Sequence, residues 1–201
     1  MATIMANNPE LILASSSRYR RELLDRLGLA YTAEASDIDE TALAGETPVE
    51  TSKRLAREKA RFIAARHPGA VVIGSDQVAD LEGRKLGKPH TRERAIEQLL
   101  DMQGKTLTFY TALAVIAADG TVRETLSSVR VKMRALSRET IEAYVDREKP
   151  FDCAGSAKIE KLGIALMESV ESDDPTSLIG LPLIALTTLL SKSGVSVLPG
   201  L

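Results

Sequence analysis

Val71-Val72-Ile73-Gly74-Ser75-Asp76 is the stretch on which the fold turns. An unbroken run of apolar and small residues ends at a carboxylate, and a polar stretch with Lys85, Lys88 and Pro89 follows. A run of this kind, bounded by turn residues, reads as a buried parallel strand. A carboxylate just past the carboxyl end of such a strand lies where open α/β sheets place their ligands. Ser-Asp pairs also open ordinary turns, so the rest of the chain has to separate the two readings.

Working outward, helical and strand-like segments alternate, which favours α/β over a bundle or a sandwich. Leu11 to Ala14 reads as a first strand, Ser15-Ser16-Ser17 as a turn, and residues from about 18 to 27 as a helix stopped by Gly28. A second helix is predicted from about Val49 to Arg66, ending at His67-Pro68-Gly69. After the Asp76 strand, Glu82-Gly83 marks a hairpin, and a third helix opens after Thr91 and closes before Gly104. Thr106 to Ala117 and Val122 to Met133 read as long strands joined at Asp119-Gly120. Ser137 is expected to cap a helix through about Asp146, and a last helix spans roughly Pro182 to Ser191, with Gly194 past its end. The expected architecture is α/β, with a mixed, elongated, two-lobed sheet flanked by helices. Residues 1–8 read as a flexible leader and 9–201 as one domain.

The bulk numbers set limits on function. The 201 residues are 44% hydrophobic and 27% charged, with a formal net charge of −2. That balance gives no bulk reason to expect nucleic acid or a membrane surface as partner. The first ten residues lack the basic start and apolar core of a signal peptide, and no apolar run is long enough to span a bilayer. The single cysteine, Cys153, excludes an intrachain disulfide and fits a reducing cytoplasm. With only His67 and His90, a histidine-rich zinc site is not expected; any metal site should be an oxygen site for Mg²⁺ or Mn²⁺.

Several charges stand where packing would not put them. In the second helix, Ser52, Leu55, Ala56, Lys59, Ala60 and Ile63 recur at helical spacing, so Lys59 lies inside the apolar stripe, whereas Arg54, Arg57, Arg61 and Arg66 fall on a face expected to be solvated. A lysine in a packed face snorkels, pairs with a carboxylate or meets an anion. In the first helix Arg20 shares the face of Leu23, Leu24 and Leu27. Arg18, Arg20 and Arg21 crowd the positive end of that helix dipole, which makes sense if an anion occupies the serine turn. The turn is neither a Walker P-loop nor a hydrolase nucleophile elbow. Asp37-Ile38-Asp39-Glu40 supplies acidic residues. Arg20, Lys59 and Lys88 to neutralise phosphates, with Glu40 and Asp76 to hold a metal, form the set expected for metal-assisted attack on a polyphosphate.

These motifs, in order, resemble those of the Maf family of nucleotide pyrophosphatases. The resemblance runs through Leu11-Ile12-Leu13-Ala14-Ser15-Ser16-Ser17, Arg20-Arg21-Glu22-Leu23-Leu24, Asp39-Glu40, Arg54-Leu55-Ala56-Arg57-Glu58-Lys59-Ala60, Gly74-Ser75-Asp76, Gly87-Lys88-Pro89, Phe109-Tyr110-Thr111 and Gly180-Leu181-Pro182-Leu183. Arg18 stands where the family usually has Pro. The resemblance implies a mixed α/β fold with two lobes around a central cleft, similar to that of the inosine-triphosphate pyrophosphatases, and hydrolysis of a nucleoside triphosphate to monophosphate and diphosphate. It implies Asp76 as catalytic acceptor and metal carboxylate, Glu40 as its partner, and Ser15, Arg20, Lys59 and Lys88 as the phosphate clamp. It also allows a homodimer.

Three positions separate the family's branches. Where the dTTP/UTP branch has Arg, Thr and Gln, this chain has Tyr19, Gln77 and Glu160, which resembles the 7-methyl-GTP pyrophosphatase branch. A methylated purine carries a positive charge, so Tyr19 can attract it through its ring face, and Glu160 can accept from the guanine N1–H and 2-amino group. Cys153 reads as a small buried residue with no nucleophilic role. The competing expectations are a dTTP/UTP pyrophosphatase and a non-enzymatic regulator of septum formation.

Overall fold

The computed structural model describes residues 9–200, so the expected leader lies outside the described residues. The chain runs β1 (Leu11–Leu13), α1 (Arg18–Asp25), β2 (Thr32–Ala33), α2 (Pro48–Ala64), β3 (Val71–Leu81), β4 (Arg84–Leu86), α3 (Arg92–Met102), β5 (Thr106–Ile116), β6 (Val122–Met133), α4 (Arg138–Glu148), β7 (Met167–Glu171) and α5 (Leu183–Ser191). The helices start where side-chain oxygens replace missing backbone partners: Ser17, Thr91 and Ser137 cap α1, α3 and α4, and Thr47 and Glu50 form a reciprocal capping box on α2.

One seven-stranded mixed sheet, ordered β2-β1-β3-β5-β6-β7 with β4 also on β3, organises the molecule. This corrects the expectation for Asp76. β3 does not stop at Ser75; it continues to Leu81, and Asp76 lies in mid-strand opposite Ala112 of β5. The parallel reading holds only for Val71–Ile73, which pair with Leu11–Leu13 of β1. The other edge of β3 pairs antiparallel with β5 from Val72 to Asp80. β4 pairs with Ala79–Leu81. Because β5 holds one edge throughout, β1 and β4 share the other edge at opposite ends, and no strand of the described residues pairs there along Gly74–Val78. Asp76 lies in that gap.

The cores follow from strand alternation. Val72 faces α2 and packs with Ala56, Ala60, Ile63, Ala112 and Ala114. On the opposite face, Ile73 and Leu113 join Leu23, Leu24 and the leucines of α5 at one end. Ala79 and Leu81 join Ile96, Leu99, Tyr144 and Val145 of α3 and α4 at the other. Between these cores the same face of β3 presents Ser75 and Gln77, a polar interval in an otherwise apolar strand. Gly74 lets α2 lie directly on the sheet: a Cβ there would stand 2.2 Å from the Ala56 carbonyl oxygen.

Candidate active site

A cavity of about 680 Å³, large enough for a nucleotide, opens at the gap in β3. Its wall includes Ser15, Tyr19, Arg20, Glu40, Lys59, Asp76, Gln77 and Lys88. Of the nine sequence-selected residues, eight are thus brought together. Glu160 is exposed and is not among the lining residues.

Lys59 is the centre of the charged cluster. Its ammonium nitrogen lies 2.7 Å from Asp76 Oδ1 and 2.8 Å from Glu40 Oε1, and both Lys59 and Asp76 are buried. The lysine anomaly in the α2 stripe is resolved by pairing: the stripe faces β3, and Asp76 shares that face of the strand. Burial pushes the Asp76 carboxyl above its ordinary value, against the opposing pull of Lys59 and Arg20. Burial also opposes ionisation of the half-exposed Glu40, but Lys59, Lys88 and Arg20 outweigh it and hold Glu40 below its ordinary value.

α1 and the serine turn supply the adjoining wall. Ser15 Oγ accepts from the Ser17 N–H at 3.1 Å, which shapes the turn, and from Arg20 Nη1 at 3.4 Å. Arg20 Nε donates to the Gly180 carbonyl at 2.9 Å. That carbonyl also accepts from Ser75 Oγ at 3.0 Å, so the loop before α5 fixes Arg20 against β3. Gln77 Nε2 donates to Thr111 Oγ1 and the Ser177 carbonyl, both at 2.9 Å, and to the Leu178 carbonyl at 3.2 Å. Its amide nitrogen is therefore held by the protein.

Three features escaped the sequence reading. Lys85 also lines the cavity and donates to Thr51 Oγ1 at 2.5 Å. It belongs to β4, whose register on β3 the sequence did not reveal. Arg54, expected on a solvated face, instead ties the acidic loop to α2. Its Nε donates to Glu46 at 2.7 Å and its Nη2 to the Thr41 carbonyl at 3.1 Å. The spacing of Glu46, Glu50 and Arg54 around the helix start was the available signal. Asp152 lines the cavity beside Tyr19, whose hydroxyl donates to it at 3.2 Å. Cys153 is half-buried in the same wall, and burial pushes its thiol up to about 12, which keeps it protonated.

Among the described residues no group of three or more His, Cys, Asp or Glu side chains converges to hold a metal ion, and no helix is long and apolar enough to cross a membrane. Two carboxylates do face a common cation at Lys59. That donor set fits Mg²⁺ or Mn²⁺ completed by substrate phosphates, since Mg²⁺ is usually held by one or two carboxylates plus phosphates and water.

A protein of Bordetella pertussis named 7-methyl-GTP pyrophosphatase is 54% identical over 193 residues, covering 96% of each chain. One of Cupriavidus pinatubonensis with the same name is 56% identical over 189 residues, covering 92% of this chain and 94% of that protein. Among solved structures, a HAM1 protein from Coxiella burnetii aligns over 92% of this chain and 99% of its own, with a TM-score of 0.49 at 16% identity. The family described as Maf-like protein matches residues 10–193, from just before β1 to just past α5. The chain belongs to the Maf-like protein family.

Proposed function

We propose that this protein hydrolyses 7-methyl-GTP to 7-methyl-GMP and diphosphate in the cavity at the β3 gap. The observation that carries the reading is the buried Asp76, held with Glu40 around Lys59 inside a nucleotide-sized cavity. The near full-length similarity to proteins named 7-methyl-GTP pyrophosphatase supports the choice of substrate.

In this reading Arg20, Lys59 and Lys88 receive the triphosphate, with Ser15 as a hydroxyl ligand, so that phosphate oxygens exchange with the carboxylates now around Lys59. Asp76 and Glu40 would hold Mg²⁺ or Mn²⁺, which would offset phosphate charge and polarise the α-phosphoryl group. Asp76 accepts the proton from a water molecule whose oxygen attacks the α-phosphorus. The new P–O bond forms as the α–β anhydride bond breaks in line, and diphosphate takes the bonding pair. Charge developing on the leaving diphosphate is met by Arg20, Lys59 and Lys88. Tyr19 and Gln77 shape the end of the cavity that takes the base.

Diphosphate release from 7-methyl-GTP, GTP, UTP and dTTP with Mg²⁺ or Mn²⁺ tests the reading in wild type and Asp76→Asn. We expect selectivity for 7-methyl-GTP and a loss of roughly 10³-fold in kcat in the variant. Near-normal turnover by Asp76→Asn would overturn the catalytic assignment. Preference for UTP or dTTP would retain the enzyme class and overturn the substrate.

A further inference from the structure

Asp152 is a carboxylate at the cavity that the proposed phosphate chemistry does not use. It precedes the short 3₁₀ turn Ala154–Ser156, and its side chain is 54% exposed, so part of it remains free to meet a ligand. Two protein groups hold it. Lys158 Nζ lies 3.1 Å from Oδ1, and the Tyr19 hydroxyl donates to Oδ2 at 3.2 Å. Lys158 is itself buried and fixed by the carbonyls of Lys149 at 3.2 Å and Glu148 at 3.5 Å. Lys158 thus anchors Asp152 from inside the protein.

An ionised carboxylate offers about four lone-pair sites, two on each oxygen. Lys158 takes one on Oδ1 and Tyr19 one on Oδ2, which leaves one acceptor site on each oxygen. Two adjacent acceptors match a planar pair of N–H donors, and charge-assisted bonds of this kind are the strong ones. Burial opposes the charge on Asp152, but the hydrogen bond and charge of Lys158 together with the Tyr19 hydroxyl outweigh it and hold the carboxyl below its ordinary value. Glu160, the carboxylate expected to meet the base, does not line the cavity.

We propose that Asp152 is the specificity residue that reads the guanine edge, accepting from N1–H and the 2-amino group of the base. The assignment rests on the 7-methyl-GTP reading above and deepens it. Tyr19 has two parts in it: its hydroxyl helps fix Asp152, while its ring borders the base. One ring face already carries the Arg18 guanidinium, 4.7 Å from the centroid. Docking the donor edge on Asp152 turns the N7-methyl end, where the positive charge resides, away from Lys158.

The test removes the 2-amino group from the substrate and the charge from the enzyme in turn. Values of kcat/KM are measured for 7-methyl-GTP and for 7-methyl-ITP, the same methylated base without that group. Wild type, Asp152→Asn, Tyr19→Phe and Glu160→Gln are compared, with UTP as the reference for the substrate class. Asn keeps an acceptor for Lys158 while presenting an amide in place of the second oxygen, so folding is checked independently by thermal unfolding. Wild type should favour 7-methyl-GTP over 7-methyl-ITP by at least about tenfold, and in Asp152→Asn that ratio should collapse towards one. Tyr19→Phe, which keeps the ring and the Asp152 charge, should lose less of the ratio. An unchanged ratio in a folded Asp152→Asn, or a collapse in Glu160→Gln instead, would overturn the assignment while leaving the substrate reading intact. Complete loss of the ratio in Tyr19→Phe would overturn the direct role, reducing Asp152 to a tether. A wild type that prefers UTP would overturn the substrate reading itself, and Asp152 with it.

Discussion

Lys59 carries the charge that lets two carboxylates lie together against the sheet. Removing one partner of such a group leaves uncompensated charge, which costs more than the pair itself contributes. Lys59→Met should therefore lower the melting temperature and reduce kcat/KM for 7-methyl-GTP by roughly 10²-fold, the scale seen when a donor to developing phosphate charge is lost. Steady-state kinetics and a thermal melt on the same sample check both parts; wild-type kcat/KM would remove Lys59 from the clamp. This residue was legible because a cation inside an apolar stripe violates the helical pattern. Arg20 was legible for the same reason. Asp152 was not, because an acidic residue next to a turn breaks no rule of periodicity. Its meaning comes from Lys158, six positions on, and from Tyr19 on a distant helix, contacts that spacing along the chain does not encode.

Among the elements, the segment leading into α2 sets the position of Glu40. Glu46 accepts from Arg54 at 2.7 Å and 3.0 Å, from Thr51 at 3.0 Å and from the Leu43 N–H at 3.0 Å. The Arg54 hydrogen bond leads this set in holding the Glu46 carboxyl down at about 2, from an ordinary 4.5. A depressed carboxyl stabilises the fold above its unfolded value, and the contribution is lost as pH falls from about 4.5 through about 2. Glu46→Gln should accordingly melt a few degrees below wild type at pH 7, with the gap closing across that acidic window. A gap constant with pH would show that the ion pair is not its source. The helices were read closely from sequence since their caps are chemically explicit. β2 and β7 were missed, being short and mostly exposed, so neither offers an apolar alternation. The end of β3 was misplaced for a related reason: Asp76 and Gln77 interrupt the apolar run, yet β5 pairs straight past them, so the ladder and not the local composition decides where the strand stops.

At the scale of the whole molecule, the cores are tied together by shared strands. β3 and β5 run through all of them, contributing Ile73 and Leu113 at one end, Ala79 and Phe109 at the other, and Val72 and Ala114 beneath α2. One end cannot unfold without stripping partners from the other. Urea unfolding followed by tyrosine fluorescence and by far-ultraviolet circular dichroism should give coincident midpoints. Separated midpoints would mean that the ends melt as independent units. The mixed α/β character was visible in the alternation of elements along the chain, but the division of one strand edge between β1 and β4 was not, because no local pattern reports which strands share an edge.

That divided edge has an evolutionary consequence. The opening between β1 and β4 is five peptide units of a continuous strand, Gly74 to Val78, or roughly 17 Å. Its size can change only in whole residues, and each added residue would reverse the facing of every side chain beyond it. An insertion ahead of Asp76 would turn the carboxylate away from Lys59, and one after it would turn Ala79 and Leu81 out of their core. The dimension of this site is thus discrete, so drift towards other nucleotides has to proceed by exchanging side chains around a frame of fixed length.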